Sequence, residues 1–573
     1  MNKKKWITCL VSLVLAITLL ASCAPKSPTS STESQSTTSS GTNTDKYPEY
    51  LNLDSQAPVI KTEYAGKVKP KLLLIQDATG GKWDDVWLSK FLKAKYNLEF
   101  DEESVLDTAW SERKSVLLTS NDLPDIMLNI GLKTTEIYNY GQEEHLLLAC
   151  DEYISEKLTP NLYRYFQNED VAAAATTPDG HVYILPQIGA SDIEGYCTAL
   201  FINKKTLDTL GLENPKTLDD FNKVLYAFKE KDPNGVGKEN CYPFGGGMEA
   251  CSNTFWVLNA LGYITRDPYG LAPALREGKV VIPAYDTEVY KEFLKQMNQY
   301  YKDGIINPNF FTIENTEIVA QLNNGQNILY RIPVYTTGIT TWSDWDSVYP
   351  LTSQWNDKMQ CPKDGYISVG NFAIAAKTEY PELCLRFADL YYAEDSRDLW
   401  CGPGADSEYN FGYVNTRLNE TGTGTSFVDA DLPAGVDLWT YLMKDLCGFA
   451  PYFGALNDTP AVKYEVESRG GKYPTEKTYD LTNPDAQYRS CVYKNLSPYG
   501  TAMFPTIYYL DEATNTKLSD LTTVIEPYIK QQVALFITGQ RSLDEVEAFK
   551  EELKSQGIED LLKIYQDIYS SQK

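Results

Sequence analysis

The chain has 573 residues, a formal net charge of −26, 11 cysteines and only two histidines. That length exceeds what one hydrophobic core organises, so two or more lobes are expected. The acidity, with no basic run of five or more residues, excludes a nucleic-acid partner. Two histidines rule out a multi-histidine zinc site, and a Ser-His-Asp triad would have to use His145 or His181. His145 lies in the charged stretch GQEEHLLL and His181 follows a Pro-Asp-Gly turn, so both read as surface or strand-start residues rather than bases.

The first residues read as a secretory signal. Lys3, Lys4 and Lys5 form a basic start, and a mostly apolar stretch runs from Trp6 to Leu20. That stretch is shorter than the roughly 20 apolar residues a spanning helix needs. Leu20-Ala21-Ser22-Cys23 then resembles the lipobox of bacterial lipoproteins, which implies cleavage after residue 22 and diacylglycerol on the Cys23 thiol. Residues 24–45 are almost entirely Ser, Thr, Gly, Pro and Asn, too polar to order themselves. Residues 23–64 are therefore expected to be a lipidated cysteine and tether, holding a globular part at the extracellular face of a Gram-positive-type membrane. No second apolar run reaches spanning length.

Strands and helices alternate from residue 71. KLLLIQ, 71–76, is a buried-type strand, and Asp84 is expected to cap a helix carrying Trp87, Leu88, Phe91 and Leu92 at helical spacing. A second strand is expected near Leu98–Phe100, a helix over Trp110–Leu118, and a third strand over 123–130. The turn at Pro178-Asp179-Gly180 leads into the strand HVYIL, and Thr198–Asn203 is another strand. Thr217 starts a capped helix, and Ser542-x-x-Glu545 is a capping box. The pattern is α/β, with mixed, mainly parallel sheets flanked by helices.

The nine cysteines beyond Cys23 and the signal are scattered, with no C-x-x-C pair, and read as small buried hydrophobes rather than a disulfide framework. DPNGVGKEN, 232–240, resembles the D-x-N-x-N-G calcium loop. Asp232 and Asn234 fit, but Val236 offers no side-chain oxygen and Asn240 stands where a carboxylate is usual. The loop is read as a plain turn, with no metal and no cofactor expected.

Several segments, in order, resemble the extracellular solute-binding proteins of carbohydrate ABC importers, family 1 type. They are LTSNDLPDIML with its preceding leucine, PDGHVYILPQ, ALFINKKTLDTLGLENPKTLDDFNKVLYAFKEKDPNGVGKE, FLKQMNQYYKDGIINPNF and ALFITGQRSLDEVEAFKEELKSQGIEDLLKIYQ. The resemblance covers most of the chain from about residue 70 and is weakest over 400–500. It implies a two-lobed periplasmic-binding-protein-like fold of type II, hinged by crossing strands. The expected lobes are 65–190 with 368–480, and 191–367 with 481–573. The first crossing is placed near Gln187–Thr198 and the second within 365–377, where Gly365 and Gly370 bracket a strand. It also implies a non-enzymatic, monomeric receptor that takes a carbohydrate in the cleft and delivers it to permease subunits.

Ten Trp and 41 Tyr, many beside Asp, Asn and Gly, offer flat faces for sugar rings and polar groups for hydroxyls. Position selects the candidates Trp83, Asp84, Asn129, Met248, Glu249, Arg331, Tyr335, Asn371, Trp400, Tyr409 and Tyr508, with Trp83 as the first choice of stacking platform. A mix of rings and short polar groups favours a neutral sugar. Three other readings remain: a peptide receptor of the same fold, a secreted glycosidase lipoprotein working through two carboxylates, and an adhesin or scaffold without a small ligand.

Overall fold

The computed structural model describes residues 47–189, 196, 199–331, 337–339, 341–363, 365–403, 407–413, 436, 438–455 and 484–572. The Cys23 anchor, Tyr335, most of the first crossing and residues 456–483 lie outside these.

The first sheet starts where the apolar run demands it. β1 (Lys71–Gln76) pairs in parallel with β2 (Asp101–Leu106) and with β3 (Ile126–Leu128). Leu72, Leu73, Leu74 and Ile75 are all buried, as a strand covered on both faces requires. The chain reaches its next strand, β4 (Gln187–Ile188), through Val182 and Ile184, which make only isolated bridges to Thr176 and Ala373 instead of the expected strand HVYIL.

A second sheet begins with β5 (Leu200–Asn203). Downstream come the hairpin β6 (Ala274–Arg276) and β7 (Lys279–Val281), then β8 (Leu329–Arg331) and β9 (Trp345–Ser347). β8 and β9 flank β5, both antiparallel, so mainly parallel pairing holds in the first sheet and not in this one. β10 (Cys361–Lys363) pairs with β13 (Gly500–Ala502), far along the chain. β11 (Ile367–Ser368) pairs with β4, and β12 (Phe372–Ile374) returns to the first sheet, antiparallel to β3.

The caps explain where the helices start. Thr217 accepts from the Asp220 N–H at 3.0 Å, opening helix Leu218–Lys231. The Ser542 hydroxyl accepts from the Asp544 N–H at 3.2 Å, ahead of helix Val546–Ser555. Asp84 is different: the expected helix runs Trp87–Tyr96, Val86 takes the N-cap position, and Asp84 is exposed three residues upstream of Trp87. Among the described residues no helix is long and apolar enough to cross a membrane.

Two apolar clusters carry much of the stability. The larger gathers residues from Tyr196 to Cys361 and from Tyr488 to Ile568. The smaller gathers Leu73, Ile75, Met127, Ile184 and Ala373 with their neighbours, on one face of the first sheet. Strand alternation sends Phe372 to the opposite face. There an aromatic run joins Trp83 to Phe100 (6.1 Å), Phe100 to Phe387 (5.0 Å), and Phe372 to Phe453 (4.7 Å). Of the described cysteines, Cys150, Cys241, Cys361 and Cys384 are buried and free, and Cys447 is buried.

Candidate functional site

The end of β3 and the start of β12 form a polar junction. Asn129 follows β3 with a φ of 60°, a left-handed conformation that asparagine tolerates. Its N–H donates to the Asn371 carbonyl at 2.7 Å. Its side-chain amide donates to the Ala450 carbonyl at 2.7 Å, and its side-chain oxygen accepts from the Tyr452 N–H at 3.3 Å. The Asn371 side-chain oxygen accepts from the Gly131 N–H at 3.2 Å. Gly370, at φ 112°, brings its carbonyl to the Leu132 N–H at 2.8 Å; a Cβ there would stand 2.2 Å from the Leu132 carbonyl oxygen. These bonds gather three segments distant in sequence at the carboxyl end of β3, the edge where open α/β sheets hold ligands.

Tyr452 stands at this junction with 48% of its surface exposed. It was not among the sequence candidates, because it lies where the family resemblance is weakest; the motif Ala-Pro-Tyr-Phe-Gly, 450–454, was its only signal. Nearby, the β1–helix loop is drawn tight. The Gly81 N–H donates to the Met443 carbonyl at 3.1 Å, and a Cβ at Gly81 would meet the Lys444 carbonyl oxygen at 2.0 Å. The β4–β11 pair carries a side-chain bond, Ser368 hydroxyl to Gln187 at 3.1 Å.

The other candidates scatter. Trp83 is only 6% exposed and belongs to the aromatic run beneath the loop, so no open ring face is offered there. Asp84 is exposed next to it and adds to the burial that raises the Glu102 carboxyl above its ordinary value. Tyr409 packs edge-on against Phe91 at 5.5 Å, and its carbonyl accepts from the Trp87 indole at 2.8 Å. The Trp400 carbonyl accepts from the Cys447 thiol at 2.8 Å. Met248 is fully buried in the larger core, filling space that no ligand reaches. Glu249 pairs with Lys530 at 2.9 Å on the surface. Arg331 ends β8 with its guanidinium 5.6 Å from the Phe255 ring centre. Tyr508 packs against Phe504 at 6.2 Å and lines a cavity of about 970 Å³ that Ile367 of β11 also borders. The structure thus joins Asn129 to Asn371 and Tyr409 to the helix Trp87–Tyr96, with Trp83 against Phe100, but assembles no single cluster from all of them.

The loop at 232–240 closes on itself. The Asp232 carboxylate accepts from the N–H groups of Val236 (2.9 Å) and Gly237 (2.8 Å), and these backbone bonds hold it below its ordinary value against desolvation, which opposes them. The Asn234 and Asn240 side chains donate to the carbonyls of Gly325 and Val236. Among the described residues no group of three or more His, Cys, Asp or Glu is placed to hold a metal ion.

No family model matches the chain. It is 25% identical over 485 residues to the fructooligosaccharide ABC transporter substrate-binding protein FusA of Streptococcus pneumoniae, covering 80% of this chain and 82% of that one. Against the solved structure of FusA in complex with kestose the TM-score is 0.63 at 22% identity, over 88% of this chain and 99% of that one. A human-milk-oligosaccharide (HMO) binding solute-binding protein of Bifidobacterium longum infantis gives a TM-score of 0.66 at 20% identity, with the same coverage. The chain has the solute-binding-protein fold of the ABC importers. In this solute-binding fold the exchange of segments has a plain meaning: β12 returns to complete the first sheet, while β13 and the helices after it complete the larger core. The polar junction lies beside the strands that make the exchange.

Proposed function

We propose that this chain is the lipid-anchored, extracellular substrate-binding protein of a carbohydrate ABC importer. It captures a neutral oligosaccharide between two lobes, 65–190 with 368–480 and 191–367 with 481–573, without chemistry, and presents it to the permease. The observation that carries this reading is the relationship to FusA over 80% of the chain, together with the same fold. The junction supplies what a sugar needs: the side-chain amide of Asn371 and the exposed ring of Tyr452, both positioned by the bonds of Asn129. Binding that touches both lobes favours the closed form by its differential affinity. Cys23 carries the acyl chains, which two-chain anchoring makes stable.

The test is calorimetry of the mature protein with 1-kestose, nystose and a panel of neutral mono- and oligosaccharides. Saturable binding of at least one sugar is expected, weakened tenfold or more by Asn371→Ala, a loss of about 1.4 kcal/mol or more. Failure of every sugar rejects the carbohydrate reading and promotes a peptide ligand. Loss of acyl labelling in Cys23→Ala is expected of the anchor; labelling equal to that of the native chain would remove it.

A further inference from the structure

A second opening lies elsewhere on the part of the molecule built around the larger core. It is a groove of about 830 Å³ between the hairpin β6–β7 and the loop Gln354–Gln360, bordered by Thr501 of β13. None of the residues of the polar junction lines it. The volume falls within the range of small-ligand sites, roughly 300–1,000 Å³.

Its walls are built rather than accidental. Trp355 packs against the larger core and also lines the groove. Its indole N–H is buried and has no hydrogen-bond partner. The same is true of the Nε of Arg276, on the opposite wall. The loop bearing Trp355 is held in place. The Ser353 hydroxyl donates to the Ala260 carbonyl at 2.7 Å, and the Asn356 amide donates to the Lys358 carbonyl at 2.9 Å. The Arg276 guanidinium is likewise fixed, 3.5 Å from the Asp286 carboxylate and 5.7 Å from the Tyr263 ring centre. Gly262, at φ 95°, lies between the two walls; a Cβ there would stand 3.4 Å from the Asn356 Cβ and 3.7 Å from the Arg276 Nε. Glycine thus keeps the space between the walls open.

The lining chemistry selects the ligand class. Arg276 and Lys358 are balanced by Glu277 and Asp357, so the groove carries no net charge that would draw an anion. The amides of Gln354 and Gln360 both donate and accept, which matches hydroxyls that do the same. A partly buried indole beside them suits the C–H face of a pyranose or furanose ring. We propose that this groove is a second carbohydrate-binding site, separate from the junction at Asn129 and Asn371, which takes a neutral sugar unit against the Trp355 side chain and the amides of Gln354 and Gln360.

Calorimetry and saturation-transfer NMR on the mature protein with 1-kestose, maltotriose, cellotriose and xylotriose test this. A second, weaker binding event is expected for at least one of the four. It should persist when Asn129→Ala and Asn371→Ala together weaken the first event. It should fall at least tenfold in Trp355→Ala and several-fold in Gln360→Ala, a surface change that leaves the fold intact by circular dichroism. Absence of a second event with all four sugars, or a second event that both groove variants leave unchanged, overturns the proposal whatever happens at the junction.

Discussion

The two parts of the molecule are held together differently. The larger cluster is sealed by apolar and aromatic side chains, with Tyr263, Tyr290, Tyr300 and nine phenylalanines among its fully buried members. The junction of the first sheet is held instead by asparagine side chains and glycine backbone reaching segments 240 or more positions away in sequence. A core of the first kind tolerates little volume change but needs no special backbone. A junction of the second kind depends on single donors and on one backbone conformation, and it leaves polar groups at a surface where a ligand meets them.

The sharpest way to break this contrast is at the glycines that bracket β11. Gly370→Ala should cost more than about 4 kcal/mol, since a Cβ would collide with the Leu132 carbonyl at an already unfavourable φ. Gly365→Ala should be close to neutral, with nothing within 4 Å of the added carbon. Urea unfolding compares the two; equal effects would deny that the junction rests on backbone approach.

Next comes the choice between two aromatic residues. Trp83→Ala should destabilise by roughly 3–4 kcal/mol, because it empties a packed position against Phe100. Tyr452→Ala should leave stability within about 0.5 kcal/mol while lowering sugar affinity. Unchanged affinity in Tyr452→Ala would withdraw that ring from the site. A large affinity loss in folded Trp83→Ala would restore Trp83 to it.

A smaller effect should follow pH at Asp389, buried in helix Pro381–Leu390. Its carboxylate accepts from the Leu162 N–H and from the Asn161 amide, both at 2.8 Å, with Arg386 3.7 Å away. Burial outweighs these and pushes the carboxyl up to about 6. The fold therefore favours the protonated form. This contribution to stability is complete below the unfolded-state value and is lost as pH rises through about 6. The stability of the native chain relative to Asp389→Asn should fall by roughly 2–3 kcal/mol from pH 3 to pH 8. A pH-independent difference in thermal melts would show that the carboxyl is not perturbed.

The smallest effect is expected at the loop 232–240. Chelator should leave the melting temperature unchanged, because the Asp232 carboxylate is already occupied by two backbone N–H groups. A calcium-dependent rise abolished by Asp232→Ala would establish a metal site there.

What the sequence determined by itself was local or serial. The continuous apolar run of β1, the caps at Thr217 and Ser542, and the scattered, mostly buried cysteines all follow from residues near one another in the chain. The order of five family-like segments carried the fold, and comparison with solved structures bears that out. Tertiary structure alone decided which candidate aromatics and polar groups face open space. Trp83 and Tyr452 look equally suited to sugar as residues, yet Trp83 is covered by an aromatic run reaching Phe387 and Tyr452 is not covered. Met248 follows a glycine turn as a binding residue would, and the larger core closes over it. Exposure at a sheet edge is set by segments hundreds of residues away, and neither periodicity nor spacing in a single sequence records which segment arrives.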